Sequence, residues 1–277
     1  MTLAVLETGP LATIQDRGRV GLAALGVPRS GACDQRSYEL ANRLVGNKPG
    51  AAVIEVTFGG LALRAEAEVV IAATGAPCAG APLNAPTTLR EGEVLRLGAP
   101  RSGLRTYVAV RGGIAVPSVL GSRATDLLSG LGPAPLRAGD VLPIGTEQGA
   151  MPGVDLAAVA DPAAGEVVVR VTPGPRADWF APEALRGQAY TVSSNSNRIG
   201  VRLDGTPLVR RREGELPSEG MALGAIQVPP SGLPVIFLAD HPVTGGYPVI
   251  AYVATADLDL CAQVRPGQPL RFTTRSQ

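Results

Sequence analysis

Near the end of the chain, Asp240, His241, Thr244, Gly245, Gly246 and Tyr247 lie between two apolar runs, Pro234 to Ala239 and Val249 to Ala254. Strand, polar loop, strand is how a rigid sheet presents chemistry. The paired glycines allow positive φ or a close approach of main chain to a ligand, and the N–H groups of such a turn hold anions. A plain tight turn between strands explains the same pattern. Two other loops are rich in polar side chains. One holds Gln15, Asp16, Arg17, Arg19, Ser30 and Asp34; the other, SSNSNR, ends in Asn197 and Arg198. Together the three offer carboxylates at Asp16 and Asp240 for proton transfer, and arginine forks at Arg19 and Arg198 for a carboxylate or phosphate. Their amides and hydroxyls suit a small, planar, polar substrate. Taken singly, each loop also reads as structural, because Asn, Ser and Asp are ordinary turn residues.

Several chemistries find no support in the sequence. It contains no G-x-x-x-x-G-K-[ST] phosphate loop, no G-x-S-x-G nucleophile elbow and no H-E-x-x-H metal helix. With His241 as the single histidine, a metal site built from a histidine cluster is excluded, and no metal ligand is assigned. His241 is either a general base or an exposed loop histidine without a catalytic role. Cys33, Cys78 and Cys261 are odd in number, far apart and outside any C-x-x-C pattern, which argues against a disulfide framework or a zinc site. Cys33, in a Gly/Ser-rich loop, is either a nucleophile or a small buried side chain. Lys48, the only lysine, sits in the turn-like GNKPG and reads as solvated, so no Schiff-base or biotin-carrying lysine is expected on this chain.

Strands must position these loops. With 45% hydrophobic and 18% charged residues, the 277-residue chain has the composition of a soluble globular protein of one large or two modest domains. Its 35 glycines and 25 prolines imply dense turns, hence many short strands. Residues 3–7 and 11–15 read as strands, followed by a long polar loop from Gln15 to Asp34. Asp34 then caps a helix in which Leu40, Ala41, Leu44 and Val45 recur at helical spacing and Gly46 supplies the stop. From Ala52 onward AVIEVTF, LALRA, EVVIAAT, EVLRL and RTYVAVRGGI, each bounded by Gly, Pro or Asn, suggest a barrel or sandwich. A short helix is expected at Ala124 to Ser129, a strand at Val141 to Ile144, a linker over 145–165 and a strand at Glu166 to Thr172. A second strand-rich region follows, so the domains divide as 1–160 and 161–277. Val27-Pro-Arg-Ser-Gly31 is echoed by Val228-Pro-Pro-Ser-Gly232, and Arg19-Val-Gly-Leu22 by Arg198-Ile-Gly-Val201. A duplicated β module explains the echo, as does chance in a Gly/Pro-rich chain.

The formal net charge of +1 gives no field for nucleic acid or an acidic membrane surface, and Arg210 to Arg212 reads as a solvated hairpin tip. MTLAVLETGP lacks the basic start of a secretory signal, and no apolar run reaches membrane-spanning length. A cytoplasmic location is expected.

GVPRSGACDQRSYELANRLVGN, YVAVRGGI with the following VLGSRATDLLSGLG, TPGPRADWF, SNRIGVRLDG and EGMALGAIQVPPSGLPVIFLADHPVTGGYP are similar, in this order, to the biotin-dependent carboxyltransferase family called allophanate hydrolase subunit 2. The resemblance spans nearly the whole chain. It implies a mainly β fold of two tandem cyclophilin-like β-barrel domains with a few short helices. Carried over position by position, it implies catalytic roles for Asp16, Arg198 and Asp240. Arg19, Ser30, Asp34, Asn197, Thr244, Gly245, Gly246 and Tyr247 would then bind substrate or nucleotide. The implied activity is ATP-dependent hydrolysis of 5-oxo-L-proline to L-glutamate, with ATP and magnesium engaged alongside a KipI-like, subunit-B-type partner and a third component of the LamB/YcsF type. Two alternatives follow from the same family: carboxyl transfer to a urea- or allophanate-type amide, with biotin on a separate carrier, and a KipA-like regulator that binds a kinase inhibitor. Relatives often carry arginine after the aspartate of the last loop, where this chain has His241-Pro242-Val243, so the resemblance does not carry a substrate contact over to that position.

Overall fold

The structure is a computed structural model that describes residues 1–274. The chain is mainly β and forms two compact units, one made of Met1–Val20, Ser30–Asp126 and Gly130–Pro162, the other of Gly21–Arg29, Leu127–Ser129 and the chain from Ala163 onward.

In the first unit the short, alternating runs become nine strands: β1 (Thr2–Thr8), β2 (Leu11–Gln15), β3 (Val53–Thr57), β4 (Leu61–Ala65), β5 (Val69–Gly75), β6 (Pro86–Leu89), β7 (Val94–Arg96), β8 (Arg105–Val110) and β9 (Val141–Pro143). They make a four-stranded sheet in the order β7-β4-β1-β9 and a five-stranded sheet in the order β2-β3-β8-β5-β6. One apolar core joins the two, with Leu3 and Val5 of β1 and Leu61 and Leu63 of β4 packed in the same cluster as Ile14, Ile54, Val56, Ile71 and Val108. Because side chains alternate along a strand, the five-stranded sheet has a second face, where Val53, Ala72, Tyr107 and Ala109 pack under Tyr38, Ala41 and Leu44 of helix α1 (Gln35–Leu44). Asp34 starts that helix as expected: its backbone is extended and its carboxylate accepts the Ser37 N–H at 2.9 Å. Gly46, at φ +68°, follows its end.

In the second unit β10 (Val167–Pro173), β11 (Ala189–Val192), β12 (Gly200–Asp204), β14 (Ala225–Gln227), β15 (Val235–Phe237), β17 (Val249–Val253) and β18 (Pro269–Thr274) close a seven-stranded barrel. The parallel pairing of β10 with β18 completes the circle and removes the open edges. Val167, Val169 and Val171 are buried while Val168 and Arg170 between them are exposed, and Tyr190 meets Phe272 edge to face at 5.6 Å. The two-residue strands β13 (Glu219–Gly220) and β16 (Thr244–Gly245) pair with each other beside the barrel, and the short helix α2 (Leu258–Gln263) precedes β18.

Three local expectations differ. Ala124 to Ser129 is not a helix, because its N–H groups are drawn elsewhere: Thr125 donates to the Ile14 carbonyl, Asp126 to Leu131 and Leu127 to the Asp240 carboxylate. Residues 145–162 are no free linker, since Arg111 reaches Glu147 and the Gly149 carbonyl, and the Ala157 N–H donates to Asn84. Arg210 to Arg212 lies in an irregular arm rather than a hairpin tip, with Arg210 donating to the Val228 carbonyl and Arg212 paired with Asp178.

Candidate functional site

In the first unit the loop after β2 is folded back on itself and held from three sides. Asp16 is buried, and both its oxygens are committed: Oδ1 accepts the Gly18 N–H at 2.8 Å and the Ser122 hydroxyl at 2.6 Å, and Oδ2 accepts the Arg123 N–H at 2.6 Å. Gly31, at φ +96°, passes so close that a Cβ there would lie 2.8 Å from the Gly18 nitrogen and 2.9 Å from the Asp16 carbonyl oxygen; only glycine fits. Ser30 has left-handed backbone at φ +54° and donates to the Thr125 carbonyl at 3.1 Å. The Asp34 carboxylate is spent on capping α1, accepting from the Ser37 N–H and hydroxyl.

The third support is a charged cluster that composition conceals. Glu55, 1% exposed on β3, accepts the Cys33 N–H at 2.9 Å and the Tyr107 hydroxyl at 2.8 Å, while that hydroxyl accepts the Asp34 N–H. Arg105 lies 3.5 Å from the other Glu55 oxygen. Burial, then the Glu55 carboxylate, pushes the Tyr107 hydroxyl well above its ordinary pKa, so it stays protonated and keeps donating. Glu55 and Tyr107 are cross-strand partners of β3 and β8, so the sheet itself sets the height at which the loop is pinned.

Arg19 and Arg198, the two arginines of the sequence echo, are among the largest fully buried side chains, yet they are used differently. Arg19, 2% exposed, gives Nε to the Val119 carbonyl at 3.2 Å and Nη2 to the Ala124 carbonyl at 2.7 Å, and its Nη1 has no partner. Arg198, in the second unit, places Nε and Nη2 on the two oxygens of Asp240 at 2.9 and 3.0 Å. Asp240 also accepts the Leu127 N–H at 3.1 Å. The fork expected to meet a substrate anion is thus filled by the second expected catalytic residue. Main-chain bonds from Leu238 to Ile199 and from Asp240 to Arg198 extend the β12–β15 pairing into both loops.

Asn197 is exposed and turns its side-chain oxygen to the Ile199 and Gly200 N–H groups, an Asx turn that starts β12. His241 is buried at 9% exposure, with Nδ1 2.8 Å from the Pro242 carbonyl oxygen and its ring 6.3 Å from that of Phe237. Thr244, Gly246 and Tyr247 are exposed. Neither Gly245 nor Gly246 has positive φ. A Cβ at Gly245 would lie 2.8 Å from the Gln227 side-chain nitrogen and 3.2 Å from Met221, both of them flexible side chains that can shift.

Cys33, Cys78 and Cys261 are free and buried, and burial pushes the Cys261 thiol up to about 12, which makes it inert. Lys48 is exposed. Among the described residues no three His, Cys, Asp or Glu side chains are grouped to hold a metal ion, and no helix is long and apolar enough to cross a membrane. A cavity of about 250 Å³ in the second unit, lined by Val171, Pro173, Leu185 and Ile250 among others, contains none of the polar-loop residues. Sequence reasoning does not single out Glu55, Tyr107, Ser122 or Thr125. A glutamate inside the apolar run AVIEVTF is the available signal for the first, and the string VLGSRATDLLSGLG contains the last two.

A family model described as carboxyltransferase domain, subdomain A and B, matches residues 25–274. The chain is 38% identical over 282 residues to the C subunit of 5-oxoprolinase from Escherichia coli (strain K12), covering 98% of this chain and 90% of that protein. It is 37% identical to the urea amidolyase of Lachancea kluyveri, covering 97% of this chain but 16% of that one. The crystal structure of TTHA0988 superposes with a TM-score of 0.88 at 36% identity, and there the chain covers 99% of its own length and 56% of the solved one.

Proposed function

Since this chain belongs to the carboxyltransferase family of subdomains A and B, we propose that it is the C subunit of an ATP-dependent 5-oxoprolinase that opens 5-oxo-L-proline to L-glutamate. The observation that carries this reading is the near full-length match, in both directions, to a 5-oxoprolinase C subunit, against a match to only a small part of urea amidolyase. A lactam carbonyl is a poor electrophile, and ATP would supply the driving force by making its oxygen a better leaving group. We assign ATP and magnesium to a KipI-like, subunit-B-type partner, completed by a third component of the LamB/YcsF type, all in the cytoplasm. The donor sets of this chain fit them poorly, because Asp16 is taken up by Gly18, Ser122 and Arg123, and Asp240 by Arg198 and Leu127.

This chain's own part is to orient the small amide and complement its charge. Arg19 is the anchor for an oxygen that gains negative charge as the ring amide is attacked, since a buried charged donor aimed at such an atom lowers the barrier most. Asp16 and Ser30 keep the Arg19 loop in shape, and the Arg198–Asp240 pair braces the loops that carry Asn197 and Thr244 to Tyr247.

The test is reconstitution with the KipI-like and LamB/YcsF-type partners, with glutamate released from 5-oxoproline and ATP as the readout. The isolated chain is expected to be inert and the mixture active. Carboxylation of urea dependent on a biotin carrier, with no glutamate, would establish the carboxyltransferase alternative. Tight binding of a KipI-like protein without turnover of either substrate would establish the KipA-like regulator.

A further inference from the structure

Among the described residues of the first unit, Gln15 Oε1, Arg19 Nη1 and Thr125 Oγ1 are buried without a hydrogen-bond partner. Their residues are 0%, 2% and 2% exposed. A buried donor or acceptor left unmade costs its full desolvation, so three on one short stretch of structure call for a reason. Gln15 and Arg19 are fixed on two successive peptide groups, the second of them that of Thr125 itself. Gln15 Nε2 donates to the Thr125 carbonyl at 2.9 Å and to Thr13 Oγ1 at 3.0 Å, and Arg19 Nη2 donates to the Ala124 carbonyl at 2.7 Å. A carbonyl only accepts, so Gln15 Nε2 must face Thr125 and Oε1 must face away from it. Gly132 leaves room for this pairing, since a Cβ there would lie 2.1 Å from the Ala124 oxygen and 2.7 Å from Arg19 Nη2. Both partners of Arg19 are neutral main-chain carbonyls. The surface is one residue away, with Val20 68% and Val119 37% exposed.

We infer that Gln15, Arg19 and Thr125 form a recognition subsite for the edge of a small amide, lactam or urea. Such an edge carries an acceptor oxygen beside an N–H. The three orphaned atoms are its complement: a charged donor at Arg19 Nη1 for the oxygen, an acceptor at Gln15 Oε1 for the N–H, and at Thr125 a hydroxyl that serves either. The choice of 5-oxoproline among such ligands rests on the proposed function, but 2-pyrrolidone and urea carry the same pair of atoms. A binding site that reads the N–H by an acceptor discriminates against N-alkylated analogues more strongly than an apolar pocket would.

The test is calorimetric titration of the full chain with 2-pyrrolidone, N-methyl-2-pyrrolidone, urea and 5-oxoproline, repeated on Thr125→Val. The substitution is isosteric and removes an oxygen that bonds nothing in the protein, so melting temperature should hold or rise. Loss of one neutral hydrogen bond should weaken 2-pyrrolidone binding by roughly 2- to 10-fold in Thr125→Val, and N-methylation should do the same in the unsubstituted chain. Equal affinity for the two pyrrolidones, unchanged affinity in Thr125→Val, or no binding at all would overturn the subsite and leave ordered water as the partner of these atoms. If the lactams bind as expected and the reconstituted complex still releases no glutamate, the subsite stands and the 5-oxoprolinase reading falls.

Discussion

Asp240→Ala should destabilise the protein by about 3–5 kcal/mol, the usual cost of removing one partner from a buried ion pair. Asp240 is 0% exposed and Arg198 is 1% exposed, so the pair is out of reach of bulk water. The substitution deprives the guanidinium of two bonds at 2.9 and 3.0 Å and the Leu127 N–H of its acceptor. Asp240→Asn, which keeps the shape and one acceptor oxygen, should lose less. Replacing both members together, as Arg198→Met with Asp240→Leu, should recover part of the loss, because the guanidinium stranded by the single substitution is removed with its partner. Urea unfolding of the three variants measures this, and an Asp240→Ala curve coincident with the unsubstituted one would refute the brace.

A comparable loss, about 3–5 kcal/mol, is expected for Glu55→Ala in the first unit. Here the carboxylate serves Arg105, the Tyr107 hydroxyl and the Cys33 N–H at once, all of them buried. Tyr107→Phe removes only the hydroxyl that receives the Asp34 N–H and donates to Glu55, and should cost about 1–3 kcal/mol. Since the pinned segment leads from Ser30 into the α1 cap, amide hydrogen exchange at Ala32 to Asp34 should quicken in both variants. Unchanged exchange there would mean that the loop is held by something else.

Much of this architecture is legible in the chain itself, because strands announce themselves by period-two burial and turns by Gly and Pro. Asp34 with Gly46 marks the ends of α1 for the same reason: capping chemistry is local. What escapes is non-local. Arg198 and Asp240 are 42 positions apart, and only the pairing of β12 with β15 brings them together. The Ala124 to Ser129 stretch has helical composition, but distant acceptors at Ile14 and Asp240 claim its N–H groups. Gly245 and Gly246 have the residue types of an anion-binding turn, yet neither adopts positive φ. The echo between the halves has a physical counterpart: Gly31 and Gly232 both have positive φ, and Arg19 and Arg198 are both fully buried. Their partners diverge, a carboxylate for Arg198 and carbonyls plus an orphaned nitrogen for Arg19.

Under the proposed function, that divergence assigns the ligand to Arg19 and the bracing of the fold to Arg198. Arg198→Lys in the reconstituted complex tests it most directly, with melting temperature and turnover taken on one preparation. Lysine keeps the charge but cannot span both oxygens of Asp240. A lowered melting temperature is expected and, well below melting, turnover within about threefold of the unsubstituted complex. An unchanged melting temperature with turnover reduced roughly 10- to 100-fold, the size of one lost charge-assisted bond in the reacting complex, would contradict it and return the substrate anion to Arg198.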